Sequence, residues 1–317
     1  MSEIAKLNSY FFNSVLSKDG SIMKAEIKMF NGKTSMIVVE GITDLEFYKN
    51  YFNVNSLRCV LDESDIEELE ISNFIPKGDL TSSRVSEVLS DDKIKLYKNV
   101  IGICDKDFKT FKNNDDSDLE NNRRLFYTDK HDLEMTILYY EHKIKECVKR
   151  VFKLKNSVDD LFDDIYDICL KISAIRYVHL LDETNCSINK CVKNGIGRYI
   201  SVENDKILFN FEGFIKFVDK KKYDRSNRYK EMYKQVKKSK FDFKYLFVVG
   251  HDFVKILFKY LKLKSNIISE KEIEKIFYDV NNSYFNKSNL YNNIKNYQKC
   301  FTDVSFITEN VNDNSLF

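Results

Sequence analysis

Two short, wholly apolar runs limit what this chain can fold into more than any other feature. Met36-Ile-Val-Val39 stops on Glu40-Gly41, and the run within Asn99-Val-Ile-Gly-Ile-Cys104 stops on Asp105-Lys106-Asp107. A short unbroken apolar run bounded by turn signals reads as a strand buried on both faces, and such strands belong to parallel sheets covered by helices. After the first run, Thr43–Phe52 places Leu45, Tyr48 and Phe52 at helical spacing behind a Thr cap. Further strands are expected at Leu57–Leu61 and Leu125–Thr128, and helices at Arg84–Leu89 and Asp132–Tyr140, the last with Leu133, Ile137 and Leu138 or Tyr140 on its apolar face. A polar, helical leader is expected through Lys33. Strands alternating with helices predict an α/β layer with a mostly parallel sheet flanked by helices.

Beyond Arg150 the pattern changes to amphipathic segments at Val158–Ser173, Tyr223–Lys238, Phe253–Leu263, Glu270–Val280 and Leu290–Lys299. This half reads as largely helical, with a hairpin at Tyr199–Phe211 and a short strand at Tyr245–Val249 before Gly250-His251-Asp252. A length of 317 residues suits about two domains. The division expected is 1–150 for the α/β domain with its leader and 151–317 for the helical one.

Composition removes several classes. With 43% apolar residues, 9 Gly and 1 Pro, the chain is neither collagen-like nor Pro-rich and disordered. No apolar run approaches the roughly 18 residues of a membrane span, and no signal peptide pattern follows Met1, so a cytoplasmic protein without a membrane partner is expected. Seven scattered cysteines suit reduced thiols, and the one close pair, Cys186 and Cys191, lacks the second pair of a zinc module. A net charge of +2 argues against coating nucleic acid by bulk electrostatics. Asn31-Gly32-Lys33-Thr34-Ser35 has the tail of a phosphate loop, but Ile27 stands at the first Gly position and the segment precedes a strand, so the chain is not expected to be an ATPase.

Ligands of open α/β sheets bind beyond the carboxyl ends of strands, where Glu40, Asp105 and Asp107 fall. Residues i and i+2 of an extended chain point the same way, so both aspartates can face a site that Glu40 borders. Three carboxylates around one point repel unless a cation lies between them, and hard oxygen ligands suit one or two Mg²⁺ or Mn²⁺ ions. Each acid also reads as a polar turn or capped strand end. His131-Asp132-Leu133-Glu134 opens a helix, where Asp132 or Glu134 reaches a second metal, or Asp129 or Asp132 acts as an N-cap. In Gly250-His251-Asp252 the Gly turns the chain and Asp252 caps a helix, or His251 approaches the carboxylates and contacts a phosphate.

Val39-Glu40-Gly41-Ile42-Thr43-Asp44, followed 65 residues after Glu40 by Asp105-Lys106-Asp107, resembles the Toprim fold of topoisomerases, primases and overcoming-lysogenization-defect nucleases. With Asp132-Leu133-Glu134 and Gly250-His251-Asp252 in the same order, the chain most resembles bacterial standalone Toprim proteins, some paired with ABC-type ATPases in phage defence. The resemblance implies acid/base or metal chemistry at Glu40, metal ligation by Asp105 and Asp107, and phosphodiester cleavage. Asp44, His251 and Asp252 enter as accessory residues. Lys106 and the Asn-rich stretch after Asp107 depart from the pattern and leave the substrate open between DNA and RNA such as tRNA.

Lys216–Lys240 holds eleven Lys/Arg and three acids among aromatics. Lys220, Lys221, Lys222, Arg225, Arg228 and Tyr229 are the candidate nucleic-acid contacts, although a lysine-rich proteome yields such solvated helices without that role. The acidic helix Asp159–Asp167 reads as a docking or solvated face. The expectation is a Mg²⁺-dependent nuclease, an effector of anti-phage defence held in check by a partner ATPase, by a closed oligomer or by a substrate met only during infection. The alternative is a non-catalytic Toprim-like protein that docks to an ATPase or to itself.

Overall fold

The computed structural model describes residues 35–48, 50–52, 57–59, 81–90, 92, 94–108, 111, 123–140, 143–154, 157–182, 188–204, 206–219, 225–239, 241–264, 269, 273, 276–277, 285–300 and 306. The expected leader, the acidic stretch 62–70, most of 109–122 and Lys220–Lys222 lie outside these residues. In chain order the elements are β1 (Met36–Val39), α1 (Ile42–Tyr48), β2 (Leu57–Cys59), α2 (Thr81–Ser90), β3 (Val100–Cys104) and β4 (Leu125–Tyr127). There follow α3 (Leu133–Tyr140), α4 (Lys143–Val151), α5 (Val158–Leu181), α6 (Ile188–Gly195), β5 (Ile200–Glu203) and β6 (Lys206–Phe209). The last are α7 (Phe211–Asp219), α8 (Ser226–Lys237), α9 (Phe241–Phe247), α10 (Gly250–Lys264) and α11 (Asn289–Lys299). The chain forms two compact units that interleave in sequence: Met1–Cys104, Asp116–Tyr127 and Leu290–Phe317 in the first, Asp105–Asp115 and Thr128–Asn289 in the second.

The first unit is built on a parallel sheet of order β2-β1-β3-β4. Every residue of β1 and β3 is buried, as the unbroken apolar runs require. Met36, Val38, Val100, Cys104 and Leu125 pack with Val85, Val88 and Leu89 of α2 in one cluster. Each fully buried Val or Leu there contributes roughly 1.5–3 kcal/mol. The helix comes so close that a Cβ at Gly102 would stand 2.5 Å from Val85 Cγ1, which is why the middle of β3 lacks a side chain. From β1 the chain leads to β2 on one side, and β3 pairs with β1 on the other, so the switch point lies between β1 and β3 at their carboxyl ends.

Arg124, just before β4, ties down the turn that feeds β3. Its Nη1 donates to the carbonyls of Ile94 (2.8 Å) and Tyr97 (2.9 Å), and Nη2 to that of Leu89 (2.5 Å). Arg124→Met leaves three carbonyls without this donor, and a loss of about 2–3 kcal/mol is expected in urea unfolding. A loss below about 0.5 kcal/mol would show that water replaces the guanidinium at no cost.

The second unit is mainly helical, with the antiparallel hairpin β5–β6 in the expected place. Its centre is α5, whose N-cap Ser157 accepts from Asp160 N at 3.3 Å. The helix runs to Leu181, eight residues past the expected end, because Ala174, Ile175, Val178 and His179 continue its buried face. The acidic side of α5 carries ion pairs within its own unit, with Asp159 and Asp163 still largely exposed. Asp159 pairs with Lys145, Asp163 with Lys244, and Asp167 with Lys171 and Lys237.

The strand expected at Tyr245–Val249 is instead the end of α9 and the turn after it. Phe241, Phe243, Tyr245 and Phe247 alternate like a strand, but Phe243 and Phe247 are also four apart. Their rings stack at 5.9 Å, both edge onto Phe111, and Val248 N bonds Lys244 O at 2.9 Å. Packing of an i,i+4 aromatic pair prevails over the period-two pattern.

Candidate functional site

In the first unit, Glu40 directly follows β1 and is 9% exposed. The next turn is made by Gly41, whose carbonyl accepts from Leu45 N at 3.2 Å and whose amide donates to Asp44 Oδ2 at 2.9 Å. Gly41 is therefore the N-cap of α1, with Asp44 answering from the third helical position as in half a capping box. The expected Thr43 cap is replaced, and Asp44 serves the turn.

In the second unit, Asp105, Lys106 and Asp107 stand between buried and exposed. The two aspartates do not alternate as in an extended strand, because the chain has turned by Asp107, whose φ is 48°. Its amide donates to His131 O at 2.7 Å, while Lys106 N donates to Thr128 Oγ1 at 3.0 Å. Asp107 Oδ1 then lies 3.8 Å from His131 Nε2. The His131 ring is held by Nδ1, which donates to Leu246 O at 3.1 Å, and by Phe108 edge-on at 4.6 Å. Burial lowers its pKa, against the pull of Asp107.

The two landmarks Asp132-Leu133-Glu134 and Gly250-His251-Asp252 lie 118 residues apart and meet side by side. Asp132 Oδ1 accepts from Met135 N at 2.9 Å, the N-cap bond of α3, and Oδ2 accepts from Gly250 N, the first residue of α10, at 2.6 Å. One carboxylate thus serves the starts of two helices, where anionic charge is favoured. Burial, then the charge of Glu134, pushes its carboxyl well above the ordinary range. Glu134 is 2% exposed, and its Oε1 lies 3.0 Å from Nδ1 of His251, whose side chain is 65% exposed. Asp252 does not cap by its side chain. It is buried and clamped by Arg176 of α5, Nε to Oδ2 at 3.1 Å and Nη2 to Oδ1 at 2.9 Å.

These contacts sort the candidate ligands. Both oxygens of Asp132 accept from backbone amides, and Oε1 of Glu134 faces His251 Nδ1. Asp105 and Asp107, hard oxygen donors partly open to solvent, fit a divalent cation by donor chemistry. Among the described residues no group of three or more His, Cys, Asp or Glu side chains is arranged to hold a metal ion. His131 and Arg176 escaped sequence reasoning. His131 adjoins Asp132 and read only as part of a helix start, and Arg176 lies inside an apolar helix face with no local signal.

The basic candidates fall differently. Tyr229 is fully buried, so its ring is no stacking platform for a base. Arg225 and Arg228 both pair with Asp182 at 2.8 Å. Within α8, Lys230 pairs with Glu212 and Lys237 with Asp167, so three of its basic side chains face acids of their own unit.

No protein-family model and no curated protein matches the chain. Among the described residues no helix is long and apolar enough to cross a membrane.

Proposed function

We propose that this protein is a nuclease of the Toprim type that cleaves phosphodiester bonds with Mg²⁺ or Mn²⁺. The observation that carries the reading is the meeting of Asp132-Leu133-Glu134 with Gly250-His251-Asp252, which sets a buried carboxylate behind an exposed imidazole. A carboxylate on Nδ1 holds the ring in one tautomer and leaves Nε2 as the atom that exchanges a proton with substrate or water. Glu134 is the orienting group in this scheme and Asp132 keeps the two helix starts together. Asp105 and Asp107 would hold the cation, which when bound neutralises phosphate oxygens and lowers the pKa of a bound water. Glu40 enters through the strand-end pattern of the sequence alone. By the same resemblance, the nuclease is an effector of anti-phage defence under a partner ABC-type ATPase, with Lys220–Lys222 as contacts to DNA or RNA.

The test is incubation of the purified chain with plasmid DNA and total RNA, with and without Mg²⁺ or Mn²⁺, beside Glu40→Gln and His251→Gln. Cleavage that needs the cation and drops by about 10²–10⁴-fold in each variant is expected. Cleavage that both variants retain overturns the site. No cleavage in any fraction, with no rise in melting temperature on adding either cation, favours the non-catalytic docking protein.

A further inference from the structure

At the end of α5, buried hydrogen bonds run through side chains of three helices in the second unit. Arg225 Nη1 lies 3.2 Å from His179 Nδ1, His179 Nε2 lies 2.8 Å from Tyr229 Oη, and Tyr229 Oη lies 2.7 Å from Asp219 Oδ1. His179 is 4% exposed and Tyr229 0%. Asp182, the C-cap of α5, receives Arg225 Nε at 2.8 Å and Arg228 Nη1 at 2.8 Å, which holds the guanidinium in place.

Donor chemistry gives this chain one direction. A guanidinium only donates, so His179 Nδ1 must accept. The neutral ring then carries its hydrogen on Nε2 and donates it to the Tyr229 hydroxyl, which donates its own to Asp219. In this one protonation state each of the three links has a donor facing an acceptor. A second proton on the ring would remove the acceptor that Arg225 uses and set two cations 3.2 Å apart without water between them.

We propose that this network is a proton-sensitive latch, in which neutral His179 holds α7 and α8 against α5 and the doubly protonated ring releases them. The groups facing His179 are Arg225 and Tyr229 from α8 and its N-cap, Asp219 from α7 and Asp182 from α5 itself. Burial and Arg225 oppose the second proton, Asp219 and Asp182 favour it, and the balance leaves the ring below its ordinary value. Burial and Asp219 push the Tyr229 hydroxyl up, so it stays protonated and able to donate. A folded ring that binds its proton less readily than the unfolded one gives stability that is full above a pH of about 6.5 and is lost as the pH falls toward the folded midpoint.

The experiment is an NMR titration of the four histidines of the full chain, with His179→Gln to identify its signal, beside urea unfolding of both proteins from pH 8 to pH 5. A His179 midpoint below about 6.5 is expected. The wild-type folding constant should also fall with acid more steeply than the variant's, by about tenfold for each unit separating folded and unfolded midpoints. Should His179→Gln not fold, Arg225→Gln serves, since loss of the cation must move one histidine signal upward. A His179 midpoint at or above the ordinary value, equal acid slopes in the two proteins, or an Arg225→Gln spectrum in which no histidine moves overturns the latch.

Discussion

Arg176→Met is expected to cost about 3–5 kcal/mol of unfolding free energy, among the largest single losses available in this protein. The reason is the fate of the partner rather than the pair's own strength. Asp252 is 4% exposed and receives two guanidinium bonds. Methionine fills the space of the arginine stem but leaves that buried carboxylate without its two guanidinium bonds. Arg176→Met combined with Asp252→Asn removes the stranded charge, so the double variant should regain a large part of the loss. Urea unfolding of the two single variants and the double one measures the coupling directly. A loss under 1 kcal/mol for Arg176→Met would mean that water reaches Asp252 and that the start of α10 is looser than its contacts indicate.

Gly250→Ala is the second large effect, with about 3 kcal/mol lost. A Cβ on residue 250 would collide with Asp132 Oδ1 and stand 2.5 Å from Glu134 Cβ, and neither belongs to a flexible chain end that can swing aside. The collision falls where Asp132 Oδ2 takes the Gly250 amide, so the bond that joins α3 to α10 goes with it. Displacing α10 also withdraws His251 from Glu134, and any cleavage by the wild type should fall along with stability. Gly197→Ala is the control. The nearest atoms to its Cβ would be those of Lys259 at 3.6 Å or beyond, an ordinary contact, and it should change stability by less than about 0.5 kcal/mol. Equal effects of the two substitutions would show that close packing at residue 250 is not the cause.

The candidate site was partly legible because some of its determinants are local. Apolar runs that stop on acids place Glu40 and Asp105 at strand ends, and the Asp-Leu-Glu helix start stands out by composition. What each side chain does was not legible. Nothing local to Asp132 announces that its carboxylate accepts from the amide of Gly250, which arrives from 118 residues away. Tyr229 illustrates the reverse case. In a run of lysines it has the appearance of a surface aromatic, yet His179 and Asp219 draw its hydroxyl into the interior.

The parallel strands β1, β3 and β4, the hairpin β5–β6 and the helices α5, α8, α10 and α11 were legible in the chain's local pattern. These follow from short-range periodicity and turn chemistry, which act over a few residues. Long-range packing, by contrast, makes a helix of the alternating aromatics of α9 and sets acids of α5 against lysines of their own unit. The same packing brings Arg176 to Asp252 and His251 to Glu134. Each of these depends on burial and on charges brought together from distant parts of the chain, and the cost of leaving such groups unpaired away from water has no counterpart in local sequence.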